Sequence, residues 1–163
     1  MIYVLKQKFW SLSDTFKIRD LEGRDLFVVK GRFFSLGDKL SFQDLNGQEL
    51  VFIRQKLMAW GPTYYLEQGG RVVAEVRKHL FTFFHCKFTV DVPGPDDFEA
   101  RGGFLDHEYT FTRSGETVAT ISKRWLSWTD TYAIEIPSED NAILLLAAAV
   151  VIDLVCHQND RKH

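Results

Sequence analysis

Alternating apolar and polar residues run through most of the chain in short segments. Residues 85–92 place apolar side chains on one face and polar side chains on the other, and residues 132–136 repeat the pattern. A period of two residues is typical of half-buried β-strands. The pattern therefore predicts a mainly β protein.

Glycine-containing pairs punctuate these segments at turn positions. Asn-Gly and Gly-Gly pairs favour the positive φ values that two-residue hairpins require. The pairs are Glu22-Gly23, Asn46-Gly47, Gly69-Gly70 and Ser114-Gly115. Short strands joined by such turns predict a meander that forms a sandwich or a barrel.

Basic residues recur at a fixed distance behind these glycines. Lys30, Arg54 and Arg77 each stand seven residues after a turn glycine, and the pair Lys123-Arg124 comes one residue later in its segment. We interpret this weak repeat as strand pairs of similar length in one meander, because helical segments are absent between the units.

The C-terminal segment departs from the β pattern. Residues 142–152 are apolar on every side, and Ser138 is placed to cap a helix that begins beside Glu139 and Asp140. A helix without a polar face is buried or lies in a membrane, and this run is shorter than the roughly 20 residues that a bilayer requires. The sequence predicts a helix over about 138–157, buried inside a closed antiparallel barrel.

Composition supports one globular domain, residues 1–163, with strands over 1–137 and a polar tail at 158–163. Apolar residues make up 45% and aromatic residues 14% of the chain, which argues against disorder. The net charge of −2 argues against a nucleic-acid partner. Two distant cysteines and an N-terminus without signal-peptide features predict a cytoplasmic protein.

Two stretches resemble the LURP-one-related proteins, which belong to the tubby-like superfamily together with the phospholipid scramblases. The first is residues 34–50 (FSLGDKLSFQDLNGQEL) continuing to 53–56, and the second is 130–137 (DTYAIEIP) followed by the helix ending at Leu154. The resemblance covers essentially the whole chain. It implies a barrel of about twelve strands around a central helix.

The resemblance implies less about activity. Tubby proteins are associated with phosphoinositides, and scramblases with lipids and calcium. We therefore expect a binding module for anionic phospholipid or phosphoinositide head groups, peripheral to a membrane, without enzymatic activity, cofactor or transmembrane span. A protein-interaction scaffold, a scramblase-like lipid protein and an enzyme with a barrel cavity are the alternatives.

The basic residues that end strands are the candidate ligand site. Arginine offers a bidentate fork and lysine a point charge for phosphate groups. Solubility and protection of strand ends would explain the same residues without a ligand. The candidates are Lys30, Arg32, Arg54, Lys56, Arg77, Lys78, Lys123 and Arg124.

Other residues receive structural interpretations. Residues 93–103 are interpreted as an irregular loop, whose Asp96, Asp97 and Glu99 lack the spacing of a calcium loop. The histidines lack metal-ligand spacing. Asp153 is interpreted as structural rather than as a functional acid: either it is buried and paired, or it marks the point where the helix leaves the barrel. Tryptophans such as Trp60 are interpreted as core or rim packing.

Overall fold

A computed structural model describes residues 1–6, 15–32, 36–80, 87–123 and 131–160. Twelve antiparallel strands form a closed barrel in which each strand pairs with its neighbours in the chain, and β1 pairs with β12. The strands are β1 (Ile2–Lys6), β2 (Thr15–Arg19), β3 (Asp25–Arg32), β4 (Lys39–Gln43), β5 (Glu49–Gln55), β6 (Thr63–Gln68), β7 (Arg71–Lys78), β8 (Lys87–Asp91), β9 (Phe98–Gly103), β10 (Glu108–Arg113), β11 (Glu116–Ser122) and β12 (Thr131–Glu135). The predicted barrel is confirmed.

The four glycine-containing turns are also confirmed. Gly23, Gly47, Gly70 and Gly115 all have φ values between 79° and 83°. This left-handed conformation costs glycine little because it lacks a Cβ. Each turn joins an even-numbered strand to the next odd-numbered one.

The interpretation of residues 93–103 as one irregular loop is wrong for its second half. Residues 98–103 form β9, which pairs with β8 and β10. Phe98 and Ala100 are buried, whereas Glu99 and Arg101 lie on the outer face. The sequence interpretation gave more weight to the flanking prolines and glycines than to this short alternation.

The C-terminal helix fills the barrel. A 3₁₀ turn (Glu139–Asn141), capped by Ser138, precedes α1 (Ala142–Asp160), so the helix starts and ends slightly later than predicted. Every residue from Leu145 to Cys156 is buried. Since successive helical residues point in all directions, protein surrounds this part of the helix on every side. None of the helices in the described part of the chain is both long and apolar enough to cross a membrane.

The two ends of the barrel differ in their connections. We call the end with the turns after β2, β4, β6, β8 and β10 the turn end. The other, the loop end, carries the connections after β1, β3, β5, β7, β9 and β11. The helix enters from the turn end, because β12 runs towards it, and α1 ends near the loop end.

Candidate functional site

The barrel brings the predicted basic residues to its loop end. All of them in the described part of the chain stand at or just after the ends of odd-numbered strands, which share this end. They are Lys30 and Arg32 in β3, Arg54 in β5 with Lys56 after it, Arg77 and Lys78 in β7, and Lys123 after β11. Arg124 lies outside the described residues.

These cations form a ring rather than one cluster. The strands β3, β7 and β11 are four strands apart around the barrel. At about 4.8 Å per strand, neighbouring members of this set are separated by roughly 19 Å of barrel wall. Lys123 therefore lies far from Arg54 and Arg77, which are only two strands apart.

The cations on the wall between β5 and β8 have carboxylate neighbours. Nη2 of Arg54 lies 2.6 Å from Oε1 of Glu67. The carboxylate of Glu75 lies between two cations. Its Oε2 is 3.8 Å from Nζ of Lys56, and its Oε1 is 3.5 Å from Nε of Arg77. Since these pairs are partly exposed, each contributes little, about 0–1 kcal/mol. They nevertheless neutralise part of the positive charge that an anionic ligand would meet.

An aromatic ring separates two of these cations. The guanidinium carbon of Arg54 lies 4.8 Å from the centroid of Tyr65, and Nζ of Lys56 lies 5.4 Å from it. Cation–π contacts of this kind stabilise an exposed pair by about 0.5–1 kcal/mol. The ring therefore holds both side chains against the barrel wall.

Five lysines at the loop end have no carboxylate within salt-bridge distance in the described ranges: Lys39 begins β4, Lys123 follows β11, and the other three stand near the ends of β1, β3 and β7. Lys30 points outward from β3, and Lys78 ends β7. Lys6 is exposed at the end of β1, a position that the sequence interpretation missed. The signal was weak because β1 precedes the first glycine of the repeat. These five residues, the unpaired lysines, are the clearest source of positive potential at this end.

The turn end has the opposite character. Its carboxylates lie in the turns and at the helix entry, and they include Asp20, Glu22, Asp44, Asp96, Asp97, Glu139 and Asp140. Some of its cations are paired locally, as Arg24 contacts both Asp20 and Glu22. Hydrogen bonds from Lys17 and then Arg19 hold the pKa of Asp25 below its usual value, which keeps that carboxylate charged.

A buried polar pair lies inside the barrel near the loop end. A hydrogen bond of 2.7 Å joins Nε2 of His107 and Oδ1 of Asp153. Both side chains are buried, and the imidazole stacks on Tyr132 with a centroid separation of 4.2 Å. Of the two structural interpretations of Asp153, the structure agrees with the buried, paired carboxylate and not with the helix exit.

The phenols around this pair are held neutral. Burial, and then the negative charge of Asp153, raise the pKa values of Tyr109 and Tyr132 well above the usual value. The pair also joins two elements, because His107 belongs to the connection between β9 and β10 and Asp153 to α1. This buried pair therefore links the helix to the barrel wall.

Two of the three acidic residues considered for calcium have partners within the protein. Asp97 accepts a hydrogen bond from the backbone N–H of Val92, and Glu99 pairs with Lys87 at 3.0 Å and with Arg101 at 2.9 Å. The hydrogen bond from Lys87 is the main cause that lowers the pKa of Glu99. Within the described residues, no group of three potential ligands is placed to hold a metal ion.

Comparisons with known proteins identify relatives across the whole chain. A sequence model of the family described as LURP-one-related matches residues 1–153. The Bacillus subtilis (strain 168) protein named "Uncharacterized protein YxjI" is 38% identical over 156 residues, which cover 96% of this chain and 94% of that protein.

A solved structure shows the same fold. The X-ray structure of a protein from Arabidopsis thaliana superposes with a TM-score of 0.67 at 20% sequence identity. The superposition covers 94% of this chain and 90% of that one. At this level of identity the likeness concerns the architecture.

Proposed function

The chain belongs to the LURP-one-related family, and on that premise we propose that it is a non-enzymatic module that binds anionic phospholipid surfaces through its loop end. The ligand is the phosphate-bearing head group of a membrane lipid, phosphoinositides included. The module acts on the cytoplasmic face of a membrane, as a peripheral protein.

The observation that carries the proposal is the placement of unpaired lysines at one end of the barrel. Lys6, Lys30 and Lys78 end different strands, yet the antiparallel order brings all three to the loop end. A lysine close to an anionic bilayer contributes about 1 kcal/mol to binding. Three such residues therefore contribute about 3 kcal/mol together.

The acidic turn end supports the same orientation. Carboxylates at one end and cations at the other give the barrel a charge asymmetry along its axis, although the net charge is −2. An anionic surface repels the first end and attracts the second, so the molecule approaches with its loop end first. Salt screens this effect within a Debye length of about 8 Å at physiological ionic strength.

Vesicle cosedimentation tests the proposal. The protein is mixed with vesicles of phosphatidylcholine alone, or containing phosphatidylserine or a phosphoinositide, at low and high salt. We expect binding that requires anionic lipid and weakens with salt. Replacing Lys6, Lys30 and Lys78 together by Gln should reduce the affinity about 100-fold, as expected from about 1 kcal/mol for each lysine.

A charge-matched substitution at the other end provides the control. Arg71 is exposed beside the Gly69-Gly70 turn, so Arg71→Gln should leave binding unchanged, whereas Lys30→Gln alone should weaken it about fivefold. Failure of the wild-type protein to bind any anionic vesicle contradicts the proposal. A protein partner for the loop end would then be the better hypothesis.

A further inference from the structure

The loop end also carries an apolar rim that is turned toward solvent. Met58 is fully exposed, and Trp60 and Leu36 are 96% and 86% exposed. Leu57, Leu80 and Leu105 are about half exposed. Scattered exposed leucines are ordinary on a protein surface, but several large apolar side chains at one end indicate an interaction site.

Contacts between the connections make most of this rim continuous. A Cβ placed on Gly37 would lie 3.0 Å from Cδ2 of Leu57, and one placed on Gly61 would lie 2.8 Å from Cδ2 of Leu80. The connection between β5 and β6 therefore touches the one before β4 and the one after β7. Leu36, Leu57 and Leu80 belong to one surface around that central connection, residues 56–62, which we name the anchor loop.

The backbone of the anchor loop is strained at its tip. Met58 has a φ of 60°, a left-handed conformation that costs a residue with a Cβ about 1–2 kcal/mol. Glycine or asparagine normally occupies such a position. The chain instead has a long apolar side chain here, completely exposed. A strained residue that makes no stabilising contact points to a function outside the folded chain.

Cations stand directly behind the apolar tip. Lys56 opens the anchor loop, and Lys78 lies two residues before Leu80. A bilayer has the complementary layering, with negative head groups above a hydrocarbon interior. Lysine side chains can reach the head groups while neighbouring tryptophan and methionine side chains lie deeper.

We propose that the anchor loop inserts into the lipid bilayer, with Met58 and Trp60 below the level of the head groups. This inference rests on the proposed function and adds the mode of attachment: the lysines attract the barrel, and the anchor loop holds it. The barrel then stands on the membrane by its loop end, with Leu36 and Leu80 beside the inserted tip. The acidic turn end faces away from the lipid.

Quenching by brominated lipid tests insertion directly. Vesicles contain phosphatidylserine and a phosphatidylcholine brominated on its acyl chains, and the emission of the wild-type protein is compared with that of Trp60→Phe. The difference isolates Trp60 from the other three tryptophans. We expect the Trp60 component to shift to shorter wavelength and to be quenched in these vesicles but not in unbrominated ones.

Two double variants test the contribution to affinity. Met58→Ser combined with Trp60→Ser should weaken binding to anionic vesicles at least about 10-fold, because their apolar area stays in water. Leu21→Ser combined with Leu45→Ser is the control, because it removes two exposed apolar side chains, 57% and 58% exposed, from the turn end. The control should bind like the wild type.

The outcomes separate the inference from the proposed function. Salt-sensitive binding of the wild type without quenching of Trp60 overturns insertion and leaves head-group binding intact. An equal loss of affinity in both double variants also overturns it. No binding of the wild type to anionic vesicles removes the proposed function, and insertion with it.

Discussion

The two ends of this barrel are built from the same strands and yet differ in every property that matters for binding. At the turn end, four turns place glycine where φ is positive, and charges such as those of Arg24 and Asp20 pair within the turn. At the loop end, Gly37 and Gly61 also have positive φ values, but so does the exposed Met58, and Lys6, Lys30 and Lys78 have no carboxylate partner in the described ranges.

On the proposed function, this up-and-down barrel separates stability from function along its axis. Turns whose charged side chains and backbone groups pair within the turn are suited to joining the two strands of a hairpin. Connections that leave apolar side chains and cations exposed contribute less to folding and are available for a ligand. The buried interior then has to hold the two ends together.

The largest expected effect is a loss of stability, and it tests the buried pair of His107 and Asp153 that links the helix to the barrel. His107→Ala removes the partner of the buried Asp153 carboxylate and the ring stacked on Tyr132. Removing one member of a buried pair typically costs about 3–5 kcal/mol. Urea unfolding should therefore show a strongly reduced midpoint.

A neighbouring surface residue provides the control for this loss. Asp106 is exposed in the same connection, so Asp106→Ala should change the free energy of unfolding by less than about 0.5 kcal/mol. Similar stabilities of the two variants would mean that His107 and Asp153 do not fix the helix to the loop end.

Substitutions to glycine at two positions with a left-handed backbone should have smaller effects. They distinguish an effect on stability from an effect on lipid binding. Met58→Gly relieves a φ of 60° and should raise the free energy of unfolding by about 0.5–1 kcal/mol, while binding to anionic vesicles weakens. Ser114→Gly, with a φ of 51° at the turn end, should give a similar gain in stability and unchanged binding. Equal behaviour of the two variants in binding would show that the ends do not differ in this way.

Much of the fold could be predicted because its signals are local. The four glycine turns and the apolar helix are each contained in a few consecutive residues, and both are present as predicted. The strand β9 was not predicted, because its alternation of buried and outward-facing residues is short and ends in Gly102 and Gly103, which are typical of a turn. Gly102 has a φ of 142° beside the backbone of Glu108, where a Cβ would clash.

The candidate site could be predicted only in part, because its members meet through the closed barrel. The fixed distance behind the turn glycines correctly placed basic residues such as Arg54 and Arg77 at one end. It could not show that Glu75 lies between Lys56 and Arg77, since that depends on how β5, β6 and β7 pair. Nothing local links His107 to Asp153, which are 46 positions apart. The interpretation of Trp60 as core or rim packing is wrong, because its side chain is 96% exposed. The exposure of this side chain depends on the paths of the neighbouring connections, which the local sequence does not show.

Hydrogen exchange with and without anionic vesicles tests the central claim most directly, because it compares both ends in one experiment. The account predicts slower exchange of backbone amides in the anchor loop, residues 56–62, and in the flanking residues 36–38 and 79–80. Amides of the turns at residues 20–24 and 44–48 should exchange at the same rate in both samples. Protection of the turn end, or bound protein whose anchor loop exchanges as fast as in free solution, would contradict it.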